Sequence, residues 1–234
     1  MMLVEVNGIK FRLREDEGQV VTEAFEEDPY KVKAIERGGL VIDLGAHIGT
    51  FALRCAVERD CKVLAFEPCP STFDLLAENI MLNDLEGKVV PFRLAIGEAE
   101  GIRKFYSRPN HPVSSSLYLD HYSKDVPGYL TQEVQCTTLK RVFEDNQVSE
   151  CVALKIDCEE AEKEIFTEES KPYFRRTKYV ALEWHFYDGG IYRDYLSELG
   201  FSAHLTGCGN PPPPYEMTFG RGYLYAWKTR GLEA

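Results

Sequence analysis

Leu40-Val41-Ile42-Asp43-Leu44-Gly45-Ala46-His47-Ile48-Gly49-Thr50 is an apolar run that closes on an aspartate and then on two glycines four positions apart. Five nearly unbroken apolar residues suit a strand covered on both faces. The Asp43-x-Gly45-x-x-x-Gly49 segment behind it, ahead of a helix predicted over residues 50–59, reads as a strand-to-helix turn. Glycine supplies the unusual dihedrals of such a turn and lets the backbone approach a ligand closely. A pyrophosphate cradle needs G-x-G-x-x-G, and this loop lacks the middle glycine, so its spacing favours a ligand without phosphates over a dinucleotide.

Strands and helices alternate outward from this turn. The next strand, residues 62–66, ends on Phe66-Glu67-Pro68, with Glu67 near the offset at which an acidic residue accepts hydrogen bonds from a ribose diol. A helix follows in which Ser71 is the expected cap and Asp74 closes a capping box. Phe73, Leu76, Ala77 and Ile80 recur on one face of it. Further strands are predicted over residues 89–95, 152–156, 179–184, 201–205 and 223–228, with helices over 159–169 and 192–199. This order implies an α/β fold, doubly wound, with a mostly parallel seven-stranded sheet. The loops after Asp43, Phe66, Ala95, Asp157 and His185 should then share one edge, where such sheets bind ligands.

Residues 4–14 read as an N-terminal β-hairpin around Asn7-Gly8, followed by an acidic stretch and a helical segment near residues 29–37. Residues 1–39 are taken as part of one domain with residues 40–234, since 234 residues suit a single sizeable core. Between residues 101 and 130 a strand over 102–107 leads into a polar loop, 108–116. Residues 206–220, with Pro211-Pro212-Pro213-Pro214, read as a stiff surface excursion.

A formal charge of −11 makes a nucleic-acid backbone a poor partner, because binding phosphates needs a positive surface. No run of about 18 apolar residues is present to span a bilayer, and the first residues lack the h-region of a secretory signal, so a cytoplasmic location is expected. Seven scattered cysteines show no C-x-x-C pair or zinc spacing and read as reduced, core-filling thiols.

The ordered series Val41 to Gly49, Ala65-Phe66-Glu67-Pro68, Asn79-Ile80-x-Leu82-Asn83, Leu94-Ala95-Ile96-Gly97, Thr138-Leu139 and Leu154-Lys155-Ile156-Asp157-Cys158-Glu159-x-Ala161-Glu162 resembles the FkbM family of S-adenosylmethionine-dependent methyltransferases. The resemblance implies a class I methyltransferase fold, Rossmann-like, and methyl transfer to a hydroxyl of a sugar, glycolipid or natural product. It implies a cofactor-binding set of Asp43, Gly45, Ala46, His47, Gly49, Glu67, Pro68, Ala95, Ile96 and Asp157. Within it, Asp43, Gly45 and Gly49 would meet the methionine moiety, Glu67 the ribose and the Ala95-Ile96 backbone the adenine. Three positions depart from the family pattern: His47 replaces the usual Asn, Lys140 an Asp after Thr-Leu, and Glu160 the Gly of Asp-x-Glu-Gly-x-Glu.

Methyl transfer to a hydroxyl requires the acceptor to be aligned and its proton removed. Asp157 at the end of the fourth strand, with Glu183 and His185 at the end of the fifth, should converge there as catalytic residues. His185 is the expected general base, with a buried histidine satisfied by a carbonyl as the alternative. Asp157 would position cofactor or acceptor. These three also carry donors that suit a divalent cation, but the metal-free reading is preferred. Glu159 and Glu162 read as carboxylates favourable to a helix N-terminus. The 108–116 loop is a candidate acceptor lid with His111 as reserve base, or else a solvated connection. Tyr187, Tyr192, Tyr215 and Phe219 would stack on a sugar or pack internally. Competing functions are a cofactor-binding protein without transfer activity and a nicotinamide-dependent dehydrogenase.

Overall fold

The computed structural model describes residues 1–107, 115–118, 129–185, 189–207 and 221–228. His111, Tyr187, Tyr215, Phe219, the four-proline run and most of the 108–116 loop lie outside them. β1 (Met2–Val6) and β2 (Ile9–Leu13) form the expected hairpin, and Asn7 and Gly8 take φ of 51° and 79° as its tight turn requires. Ile9, Phe11 and Leu13 alternate into the core, so β2 anchors the hairpin.

The helix expected near residues 29–37 lies earlier in the chain. α1 spans Gly18–Glu26, and only a 3₁₀ turn, Val32–Ala34, follows. Val21 and Ala24 give α1 its inward face, whereas Asp28 and Lys31, with φ of 48° and 52°, break the backbone on either side of Pro29.

The body of the fold runs β3 (Leu40–Leu44), α2 (Thr50–Glu58), β4 (Lys62–Phe66), α3 (Pro70–Leu82), β5 (Val89–Phe92), β6 (Ala95–Ile96), β7 (Gly101–Ser107) and β8 (Leu130–Thr137). It continues with α4 (Leu139–Asp145), β9 (Cys151–Ile156), α5 (Glu162–Ile165), α6 (Lys171–Phe174), β10 (Thr177–His185), α7 (Gly189–Glu198), β11 (Phe201–Thr206) and β12 (Arg221–Lys228). The seven-stranded sheet has the order β5-β4-β3-β9-β10-β12-β11. β12 is antiparallel to both of its neighbours, and the remaining pairs are parallel. One face of the sheet packs on α2, α3 and the hairpin, the other on α4, α6 and α7. The strand order reverses between β3 and β9, so the glycine turn after β3 stands beside the end of β9.

Several boundaries differ from expectation. α3 starts at Pro70 behind Cys69 and has no side-chain cap; proline at the first helical position replaces the Ser71 box. The strand expected over 89–95 is two: β5 in the main sheet, and β6 in a second sheet ordered β6-β8-β7. The helix expected over 159–169 is one turn beginning at Glu162, with a 3₁₀ turn and α6 after it. Among the described residues no helix is long and apolar enough to cross a membrane.

Candidate active site

A cavity of about 680 Å³ opens over the carboxyl ends of β3, β4, β9 and β10. Of the residues expected at the cofactor, Gly45, Ala46, His47, Glu67, Pro68, Ala95, Ile96 and Asp157 line it, as do Glu183 and His185 from the catalytic set. Asp43 and Gly49 do not. Gly49 (φ 94°) turns into α2, and a Cβ there would come within 2.7 Å of Leu53 Cδ1 and 2.8 Å of Leu76 Cδ1. Its glycine therefore serves the turn and internal packing. Asp43 is fully buried behind the loop, 3.3 Å from Lys155 Nζ. Burial raises its pKa, and the Lys155 ammonium opposes that rise.

Lys155 is the one charged residue on the otherwise apolar strand β9. Its ammonium donates to the Gly45 carbonyl at 2.5 Å and stands 3.4 Å from Asp157 Oδ2, cross-linking the ends of β3 and β9. Burial works against its charge, but Asp43 and Asp157 hold its pKa above the ordinary lysine range.

Glu67 is buried at the end of β4. Oε2 accepts the His47 N–H and Oε1 the Cys69 N–H, each at 2.9 Å. The carboxyl thus clamps the loops after β3 and β4 and keeps a second lone pair on each oxygen for a ligand hydroxyl. Burial pushes its pKa up to about 7 against those two amides. His47, with φ of 51°, turns its ring towards Glu17 at 3.4 Å; burial, with Arg14 and Lys155, lowers its pKa to about 3, so the ring is neutral. Leu94, Ala95, Ile96, Phe105 and Leu117 make the far wall apolar. An apolar slot beside a carboxylate fits a nucleoside, and a cavity dominated by carboxylates fits a cationic sulfonium.

The other end of the cavity is a cluster around His185, which is 6% exposed. Nδ1 meets Glu162 Oε1 at 3.2 Å, and Nε2 lies 3.6 Å from both Glu159 Oε2 and Glu183 Oε1. Burial would strip the proton from the ring, but Glu159, Glu162 and Glu183 outweigh it and raise the pKa well above 6.5. Glu183 also takes a hydrogen bond from Arg221; burial pushes its carboxyl up, but His185, Arg221 and Tyr30 hold it down at about 2. Burial drives Glu159 the other way, up to about 8, against the pull of His185. Asp157, Glu183 and His185 therefore do converge. The three donors that lie within 4.8 Å of one another are, however, those of Asp157, Glu159 and His185. Glu159 precedes α5 rather than opening it, and its carbonyl accepts from the Ser116 hydroxyl.

Sequence reasoning missed Tyr30, whose hydroxyl lies 2.8 Å from Asp157 Oδ2 and 2.9 Å from Glu183 Oε2. No local pattern marks it, because its partners are far away in the chain. Lys155 could have been found as a lysine inside a buried strand. Tyr192 is 1% exposed and packs on Phe166 with ring centroids 4.7 Å apart, so it belongs to the core and not to the cavity. Of the six described cysteines five are buried, and burial raises the thiol pKa of Cys55, Cys151 and Cys158.

Residues 43–203 match the model of the FkbM methyltransferase domain. Among characterised proteins, the hexuronic acid methyltransferase AglP of Haloferax volcanii is 27% identical over 177 residues, covering 73% of this chain and 66% of that protein. A tRNA(Phe) (4-demethylwyosine(37)-C(7)) aminocarboxypropyltransferase of Pyrococcus horikoshii is 31% identical over 152 residues, 59% of this chain and 55% of that one. The chain thus spans about half to two thirds of the length of these relatives. The solved METTL16 MTase domain superposes with a TM-score of 0.50 at 13% identity, covering 93% of this chain and 70% of that one, a likeness of fold. With two thirds of its length inside the matched domain, and the glycine turn and Glu67 set at the switch point of a class I sheet, the chain belongs to the FkbM methyltransferase family, whose cofactor is S-adenosylmethionine.

Proposed function

We propose that the protein is an O-methyltransferase acting on a hydroxyl of a small molecule, such as a sugar, glycolipid or natural product. The observation that carries this reading is the junction of the two halves of one cavity: Glu67 beside an apolar slot at one end, and Glu159 against a protonated His185 at the other. Bound S-adenosylmethionine supplies an electrophilic methyl group. Glu67 would accept from the ribose hydroxyls, Ala95 and Ile96 would hold the base, and the turn from Gly45 to His47 would take the methionine end. At the acceptor, the Glu159 carboxylate would take the hydroxyl proton and Asp157 would orient that hydroxyl. His185 already carries its proton, so it positions Glu159 instead of acting as the base. Its positive charge is also what balances the surrounding carboxylates, which supports the metal-free reading.

Hexuronic acid methylation, named for the Haloferax volcanii relative, supports a sugar acceptor. The tRNA-modifying relative favours an RNA acceptor instead. Against it stand the net charge of −11 and a cavity lined by six carboxylate side chains, Asp16, Glu23, Glu67, Asp157, Glu159 and Glu183. Mass spectrometry of reactions with methyl-labelled S-adenosylmethionine across hydroxylated small molecules and unmodified tRNA tests the reading. Label in a methyl ether is expected. Label in tRNA alone would replace this function, and cofactor binding without any labelled product would leave the binding-only alternative.

A further inference from the structure

We propose that the segment ahead of the family domain, through Asp16, Gln19 and Glu23, forms an acceptor-binding wall that selects an uncharged polyhydroxylated compound over an anionic one. The inference rests on the methyltransferase reading above and names its substrate class. Asp16, Gln19, Val20, Glu23 and Ala24 follow an i, i+3, i+4, i+7, i+8 pattern, and all five line the cavity. They lie outside residues 43–203, the part matched by the family. The wall therefore stands ahead of the matched domain while facing the same cavity. It is also pre-oriented: Gln19 Nε2 donates to Glu23 Oε1 at 2.7 Å.

In the same cavity, Tyr30 shows what Asp157 and Glu183 accept. A single hydroxyl sits between Asp157 and Glu183 at 2.8 and 2.9 Å. A sugar hydroxyl is the same kind of donor. Each cation among the described lining residues is already paired with a carboxylate. Lys155 serves Gly45, Asp43 and Asp157; Arg221 serves Glu183; His185 lies between Glu162, Glu159 and Glu183. A carboxylate or phosphate on the acceptor would instead face Asp16, Glu23 and Glu159.

A matched trio of methyl hexopyranosides that carry CH₂OH, carboxylate or CH₂NH₃⁺ at C6 tests the proposal with the full-length protein, with cofactor binding followed by calorimetry. The neutral glycoside and the amine are each expected to exceed the carboxylate at least tenfold in kcat/KM. Asp16→Asn combined with Glu23→Gln should raise KM for the neutral glycoside about tenfold while changing kcat less than twofold. Glu23→Lys should narrow the gap to the carboxylate. A wild-type preference for the carboxylate, or variants with unchanged KM, would overturn the wall. No product from any of the three while S-adenosylmethionine binds overturns the acceptor class and spares the methyltransferase reading. Absence of cofactor binding overturns that reading, and the proposal falls with it.

Discussion

A Cβ placed on Gly45 would stand 1.8 Å from the carbonyl oxygen of Asp157. β3 and β9 are adjacent at the switch point, and Asp157 N–H donates to the Leu44 carbonyl at 3.1 Å, so neither backbone can retreat. Gly45 also takes φ of 79°. Gly45→Ala should cost about 3 kcal/mol or more, by backbone overlap and left-handed strain together. Calorimetry would read this as a large fall in Tm. A variant as stable as the wild type would mean the two strand ends separate easily, and the cradle would not be rigid.

Glu67 joins folding to cofactor binding. Its carboxyl is raised from 4.5 to about 7 in the folded protein, so the folded state binds the extra proton. The group's contribution is full below about 4.5 and falls as pH rises through 7, by on the order of 3 kcal/mol. Glu67→Gln should remove that decline, so urea unfolding of variant and wild type should converge at low pH and diverge in the variant's favour above 7. Its S-adenosylmethionine affinity should fall by about 1–3 kcal/mol with the lost ribose contacts. Unchanged affinity would take Glu67 out of the ribose site.

The three departures from the family pattern have backbone and helix-end explanations. Glu160 has φ of 78° directly after Glu159 at 48°, which accounts for glycine at that position in the family. His47 has φ of 51°, which Asn tolerates better. Lys140 sits in the first turn of α4, where an aspartate would suit the helix dipole. Glu160→Gly should therefore stabilise by about 0.5–1 kcal/mol, the relief of left-handed strain less the added chain entropy. Lys140→Asp should add about 0.3–1 kcal/mol. Neither residue lines the cavity, so cofactor affinity should hold in both variants. A lower Tm for Glu160→Gly would show that its side chain contributes more than its backbone costs.

What the sequence made legible follows one physical divide. Buried strands of the main sheet, and the loop and Glu67 at their ends, announce themselves through apolar runs broken by glycine and acid. β8 escaped because only Val134 and Cys136 of its eight residues turn inward, too short an alternation to stand out. α4 could have been found, since Leu139, Val142 and Phe143 bury one face behind a Thr138 cap that accepts from Arg141 N–H at 3.2 Å. The rest of the acceptor half was hidden for another reason. Tyr30, Glu159 and Arg221 join Asp157, Glu183 and His185 only through the tertiary fold, and the wall formed by Asp16, Gln19 and Glu23 looks in sequence like any solvated helix face.

The state of His185 decides how the proton moves, and it can be measured without an acceptor. A folded pKa above the ordinary 6.5 means that His185 stabilises the fold fully below about 6.5 and loses that contribution as pH rises through the folded value. The imidazole Cε1–H resonance should titrate well above 6.5 in the wild type. Glu159→Gln should lower the midpoint, because Glu159 is the strongest of the carboxylates holding the proton. His185→Ala leaves Glu162 buried without its counter-charge, at about 3–5 kcal/mol near neutral pH, and that loss should shrink at high pH, where the wild-type ring is neutral too. Turnover should rise with pH through about 8 as Glu159 ionises, and Glu159→Gln should abolish that rise with a rate loss of about a hundredfold. A ring that titrates at or below 6.5 would reverse the assignment, since a neutral imidazole 3.6 Å from Glu159 would itself be the base.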